Sequence, residues 1–133
     1  MRRRGAILGI AAAVLVGASV LSGCGGDERT QAQLVAEGRR LFESSCAACH
    51  GIDLRGTDGW PPLLDPIYAP NHHPDQAFYN AVENGVQPHH WNFGPMPPQL
   101  RFSEADVEAI VAYVRSRQLE AGITGDPSHG PQP

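Results

Sequence analysis

Five consecutive residues, Cys46-Ala47-Ala48-Cys49-His50, place two thiols three positions apart and an imidazole directly after the second. Thiols at this spacing can each add to one vinyl group of a haem while the histidine is set as an axial ligand to the iron. The pattern therefore reads as the attachment site of one covalent c-type haem. Two other chemistries share the paired cysteines. A thioredoxin-like dithiol needs a βαβ setting, and no strand-like alternation occurs in the chain. Half of a zinc site needs a second ligand pair, and His72-His73 and His89-His90 are adjacent pairs, a poor geometry for chelating one tetrahedral metal. These four histidines are read as solvated loop residues. A lesser alternative makes His89 or His90 a replacement iron ligand, which would give a redox or pH switch.

The iron's other axial ligand follows by elimination. Beyond the initiating residue, the one methionine is Met96, inside Gly94-Pro95-Met96-Pro97-Pro98. A thioether usually serves as a flexible gap-filler in cores. Between prolines it is instead held still, and methionine opposite histidine raises the reduction potential, which suits an electron carrier. His89 or His90 is the main rival. Trp91, Arg55 and Arg101 are weaker candidates for contacting the haem propionates, since a buried carboxylate needs a donor or a cation.

Three helices must position these groups. The first is predicted over Gln31 to Ser45, with Leu34, Leu41 and Phe42 on one face. The second is short, from Pro74 to Asn84, with Pro74 in its first turn, Phe78 and Val82 one turn apart, and Gly85 as the stop. The third begins at Ser103-Glu104-Ala105-Asp106, an acidic capping box, and carries Val107, Ile110, Val111 and Val114 at helical spacing. Arg115 and Arg117 suit its C-terminal end. Residues 51–73 and 86–102 are loops rich in Gly and Pro, and Gly122 to Pro133 reads as a flexible tail. The folded body, residues 31–121, is small enough that it can bury only a modest core by itself. A large apolar macrocycle at its centre would remedy this.

The N-terminus is of another kind. Arg2, Arg3 and Arg4 precede an uncharged run from Ala6 to Leu21. As a helix that run spans about 24 Å, short of the ~30 Å hydrocarbon core, which favours a secretory signal peptide over a permanent span. Leu21-Ser22-Gly23-Cys24 resembles the bacterial lipobox, which implies cleavage after residue 23, lipidation of Cys24, and a polar tether over residues 24–30. Several acyl chains would hold the protein on a bilayer. Loss of residues 1–23 removes three of ten arginines, leaving seven basic residues against fourteen acidic ones and a formal charge of −7. The chain has no lysine, which argues against nucleic acid and favours basic or neutral partners. With Cys24 given to lipid and Cys46 and Cys49 to haem, no thiol remains for a disulfide.

Over roughly residues 35–118 the chain resembles the class I cytochromes c. The resemblance rests on the haem motif and on a glycine and an aromatic eight and four residues before its first cysteine, here Gly38 and Phe42. It also rests on an aliphatic–aromatic pair near the C-terminus, here Ile110 and Tyr113, and on Gly94 to Pro97 matching Gly-x-Met-Pro. The resemblance implies an all-α fold with three main helices and Gly/Pro-rich loops around one covalent haem. It implies that Gly38 lets the C-terminal helix cross closely with Phe42 packed against it. It also implies a proline carbonyl accepting the ring N–H of His50, with Pro61 the candidate and Pro62 the alternative. The lysine ring that guides docking in mitochondrial relatives is absent.

The expected function is one-electron transfer outside the cytoplasm by a lipid-anchored carrier. His50 and Met96 would ligate the iron. Expected partners are redox proteins: a quinol-oxidising complex, a terminal oxidase or reductase, or a dehydrogenase. The rivals are a haem-c subunit of a larger redox enzyme, and a haem protein with an open iron position for ligand binding or peroxidase-like catalysis.

Overall fold

The computed structural model describes residues 29–125. The signal-peptide, lipobox and Cys24 readings lie outside the described residues, as does the tail beyond residue 125. Four α-helices follow in order: α1 over Gln31–Ser45, α2 over Ala47–His50, α3 over Asp75–Asn84 and α4 over Glu104–Glu120, with a 3₁₀ turn at Pro66–Tyr68 between α2 and α3. Among the described residues there is no strand, only isolated bridges pairing Thr57 with Trp60 and Val86 with Met96.

Local chemistry sets the helix ends. Thr30 and Gln33 form a reciprocal capping box at the start of α1, and Ser103 and Asp106 form another at the start of α4. Pro74 is not within the first turn of α3 as expected. It stands just before it as the N-cap, extended at ψ 165°, because the helix needs no N–H from that position. Gly85 closes α3 at φ 74°. At the end of α4, Ile123 N–H reaches Gln118 O at 2.8 Å and Gly122 N–H reaches Leu119 O at 3.0 Å. This paired bonding around a left-handed Gly122 is a Schellman stop, so residues 122–125 continue as an ordered turn.

The core forms where α1 crosses α4. A Cβ on Gly38 would lie 1.8 Å from Ala109 O, so only a bare backbone allows the helices to approach this closely. One turn on, the Phe42 and Tyr113 rings meet at 5.5 Å and 56°. Leu41, Ile110 and Val114 complete this seam, and Leu54 and Leu63 enter from the chain after α2. Leu54 is fully buried at a positive φ of 63°, a conformation disfavoured by about 1–2 kcal/mol for an L-residue. Burying its side chain contributes about 1.5–3 kcal/mol and offsets that strain.

Two polar side chains of α4 fasten the connecting loop. Gln118, fully buried, donates to Leu63 O at 2.9 Å and Tyr68 O at 3.2 Å and accepts from Arg115 at 2.6 Å. Arg115 was expected to serve the helix C-terminus. Instead its guanidinium bonds Tyr68 O at 2.9 Å, His73 O and Asp75 at 2.7 Å, and lies 4.8 Å over the Phe78 ring. Five donors in a rigid fork reach several acceptors at once, which a helix-end charge does not require.

Candidate haem site

The Cys46–His50 segment prolongs α1 almost without a break. Cys46 N–H bonds Phe42 O at 2.8 Å, and Cys46 O accepts from both Cys49 at 3.1 Å and His50 at 2.9 Å. One helical turn thus puts Cys46 and Cys49 on a shared face. The turn is fixed from below by Gly56 N–H to His50 O at 2.8 Å and by the Thr57 hydroxyl to Cys49 O at 2.8 Å. Both thiols are free and half-buried. Burial pushes the Cys46 thiol up to about 11, with Arg101 pulling the other way, so it is held as the neutral thiol.

His50 is oriented by one bond. Its Nδ1 donates to Pro61 O at 3.0 Å, and Pro61 rather than Pro62 is the acceptor. With Nδ1 carrying the proton, Nε2 keeps its lone pair. Burial holds the imidazole below the usual histidine range, the Pro61 carbonyl opposing, so the ring is neutral at neutral pH. A neutral ring with one nitrogen tied to a carbonyl is the usual state of a histidine metal ligand.

Met96 comes from the opposite end of the sequence. Its N–H and carbonyl exchange two bonds of 3.0 Å with Val86. Gly85 makes this pairing possible, since a Cβ there would lie 2.5 Å from Met96 O. Gln99 N–H to Val82 O at 2.7 Å anchors the far end of the loop to α3.

Cys46, Cys49, His50, Pro61 and Met96 all line one cavity of about 480 Å³, walled by apolar side chains that include Phe42, Leu63, Phe78, Val82, Ile110 and Val114. That volume lies in the range of cofactor cavities, about 300–1,000 Å³. Two unpaired thiols, a neutral imidazole, a thioether and apolar walls form a donor set and surface that fit a covalently held haem.

The structure separates the weaker candidates. Trp91 lines the cavity, with its indole N–H donating to the Tyr68 hydroxyl at 3.2 Å and its ring stacked on Phe93 at 5.8 Å. Arg55 does not line it; exposed, it lies 3.8 Å from Asp53. Nor does Arg101, which lies 4.8 Å over the Phe102 ring. Neither guanidinium lines the cavity, though the Arg101 charge bears on Cys46. The histidine pairs match expectation only in part. His72, His89 and His90 are exposed loop residues as expected and His73 is half-buried, yet the two pairs converge in one cluster, with ring centroids 4.2–5.9 Å apart. Tertiary folding brings the two loops together, and no local spacing shows it.

Gln118, Arg115 and Tyr68 were not singled out as parts of the framework. Gln118 had a signal: it stands one turn after Val114 on an apolar stripe, where a polar residue needs buried partners. Arg115 and Tyr68 had none.

The family profile described as cytochrome c matches residues 35–118. A cytochrome bc1 complex cytochrome c subunit of Corynebacterium efficiens is 30% identical over 97 residues, covering 72% of this chain and 31% of that protein. The cbb3-type cytochrome c oxidase subunit CcoP of Rubrivivax gelatinosus is 54% identical over 86 residues, 63% of this chain and 26% of the relative. The bc1 complex cytochrome c subunit of Mycobacterium bovis is 33% identical over 91 residues, 68% of this chain and 30% of the relative. The chain thus spans less than a third of the length of these relatives.

Proposed function

The chain belongs to the cytochrome c family, with its all-α class I fold and covalently attached haem c, and we propose that it is a membrane-tethered, extracytoplasmic electron carrier. The observation that carries this reading is the convergence of Cys46, Cys49, His50 and Met96 on one apolar cavity. When bound, the haem supplies a one-electron Fe(III)/Fe(II) couple. Cys46 and Cys49 would hold the macrocycle through thioether bonds. His50 would offer Nε2 to the iron, and the Pro61 carbonyl keeps the ring's tautomer and orientation fixed. Met96 would offer its thioether sulfur from a loop stiffened by prolines on both sides. With both protein ligands retained, the iron would present no open position to a substrate, which suits a carrier of electrons. The apolar walls exclude water and so limit the reorganisation that accompanies a change of charge.

The ferric spectrum of the wild type and of Met96→Ala tests this reading. The wild type should show a weak red sulfur-to-iron charge-transfer band, and the variant should lose it. A band unchanged by the substitution would refute the methionine ligand. Rapid, tight carbon monoxide binding to the reduced wild type would refute the closed iron.

The tether and location rest on the run from Ala6 to Leu21 and the residues Leu21-Ser22-Gly23-Cys24. Among the described residues no helix is long and apolar enough to cross a membrane. Cys24→Ser should move the haem protein from the membrane fraction to the soluble extracytoplasmic fraction; unchanged membrane retention would overturn lipid anchoring.

A second reading is favoured by the relatives. Those of Corynebacterium efficiens and Rubrivivax gelatinosus are named as subunits of a bc1 complex and a cbb3-type oxidase. The chain would then be a resident haem-c subunit of such an assembly, exchanging electrons with a quinol-oxidising complex, a terminal oxidase or reductase, or a dehydrogenase. Stoichiometric co-purification after mild detergent extraction supports the resident subunit, and isolation of the free protein supports the mobile carrier. In both cases the charge of −7 after loss of residues 1–23 favours a basic or neutral docking face on the partner.

A further inference from the structure

The histidine cluster stands at the rim of the haem cavity, and its nitrogens are arranged for a metal. His72 and His73 stand on a tight turn in which Ala69 O accepts both of their backbone N–H groups, at 2.9 and 2.8 Å. Their side chains therefore leave the turn together, with rings 4.8 Å apart. Arg115 holds this turn from α4 through the carbonyls of Tyr68 and His73. The second loop brings His90, whose Nε2 lies 3.3 Å from Nε2 of His72.

We propose that His72, His73 and His90 form a binding site for a divalent first-row transition metal, Zn(II) or Cu(II), separate from the haem iron. Each residue offers one nitrogen, and the three lie within 4.8 Å of one another. Metal–nitrogen bonds of 2.0–2.1 Å at tetrahedral angles put neighbouring donors about 3.3 Å apart. One edge of the site is already at that length. His73 is oriented as a ligand should be: its Nδ1 donates to Ile67 O at 2.6 Å, which leaves Nε2 with its lone pair. His89 stands beside the group, its ring 4.2 Å from that of His90, but is not one of the three converging donors.

The donor set also selects the ion. No carboxylate belongs to the group, and Asp75, the nearest acidic residue in sequence, is engaged by Arg115 at 2.7 Å. Calcium and magnesium require oxygen ligands and are therefore poor occupants. Imidazole suits copper, nickel and zinc, and among them copper binds most tightly at a given nitrogen site. The site is reachable, because His72 and His90 are exposed. His73, His89 and His90 also line the haem cavity, so the ion would stand at its rim, where a positive charge bears on the iron's potential.

The test uses the full-length haem-loaded protein, stripped with a chelator and titrated separately with CuCl₂ and ZnCl₂. One equivalent of metal should survive desalting, and the Cu(II) electron paramagnetic resonance should show coupling to several imidazole nitrogens. His72→Ala/His90→Ala should weaken retention at least tenfold. The single variant His72→Ala, at an exposed position, should weaken it without affecting folding. Equal retention by wild type and double variant would overturn the proposal, as would loss of binding on His129→Ala. Loss of the Met96-dependent red band in His72→Ala, whose side chain does not line the haem cavity, would also overturn it, by placing this histidine in the iron's service.

Discussion

Around the cavity, the turn carrying Cys46 to His50 is held by side-chain packing in addition to hydrogen bonds, whereas the loop carrying Met96 is held by backbone hydrogen bonds with little packing behind them. Behind the first lie the Gly38–Ala109 crossing, the Phe42–Tyr113 ring contact and the fully buried Leu54. Behind the second are two bonds to Val86, one from Gln99 to Val82, and a glycine at Gly85. Residues Gln87 to His90 beside it are exposed. Packed regions open only with the whole domain, while segments with few buried apolar contacts open locally at lower cost. The side that holds the macrocycle covalently is thus the rigid one, and the side offering a breakable thioether ligand is the one able to let go.

The most severe way to probe this contrast is Gly38→Val. The new Cβ would sit 1.8 Å from the Ala109 carbonyl, so the helices must separate along the whole seam. A loss of about 3 kcal/mol or more is expected from such overpacking, with the helical signal and the red band lost in one transition. Denaturant unfolding of the haem-loaded protein followed by both signals measures it; a loss under about 1 kcal/mol would mean the crossing is not what secures the packed side.

Gln118→Ala should cost somewhat less. The substitution strips the Leu63 carbonyl of its buried donor, leaves the Tyr68 carbonyl to Arg115 alone, and deprives Arg115 of an acceptor. Leaving buried groups unpaired costs about 1–3 kcal/mol. Because Leu63 and Pro61 share a short stretch of chain, the same variant should broaden the His50-dependent haem spectrum. Unchanged stability would detach this polar clamp from the packed side.

Gly85→Ala addresses the other side. A side chain at φ 74°, ψ −179° is strained by about 1–3 kcal/mol, and its Cβ would meet Met96 O at 2.5 Å. The contrast predicts a selective effect: on warming, the red band should fade at a lower temperature than helical circular dichroism. Coincident melting of the two signals would break the comparison, since the loop would then be no looser than the helices behind the haem.

How much of this was legible in the sequence follows the same division. Cys46 to His50 could be read because the motif is one helical turn, and α1, α3 and α4 because caps and apolar spacing are local properties. Gly38, Phe42, Ile110 and Tyr113 were pointed out together by the resemblance to the class I cytochromes c, and they meet at one crossing. The loops yielded less. Arg115 is separated from Asp75 by 40 residues and from Tyr68 by 47, and no spacing rule spans such distances. His72 and His90, 18 residues apart, meet only because Arg115 fixes one loop and the Val86–Met96 bridge fixes the other. Where position depends on long-range polar bonds, residue types were visible and their partners were not.

The smallest expected effect concerns the three histidines that burial holds below the ordinary range, His50 beside the packed turn and His73 and His90 in the loop region. With its Nε2 given to iron, His50 has no proton to gain near neutrality, which leaves the loop pair, and of these His73 is the more buried. Burial is the main cause of its shift. The rings of His72 and His89 and the Arg115 charge act in the same direction, and the Ile67 carbonyl opposes them. A histidine whose folded value lies below the unfolded value of about 6.5 takes up protons more readily when unfolded. Its contribution to stability is therefore complete above that pH and is lost as pH falls from about 6.5 through the folded value. In the presence of a chelator, wild type should lose slightly more stability than His73→Gln between pH 7.5 and 5.5. Equal losses, measured by denaturant midpoints, would show that the loop carries no proton-linked stability of its own.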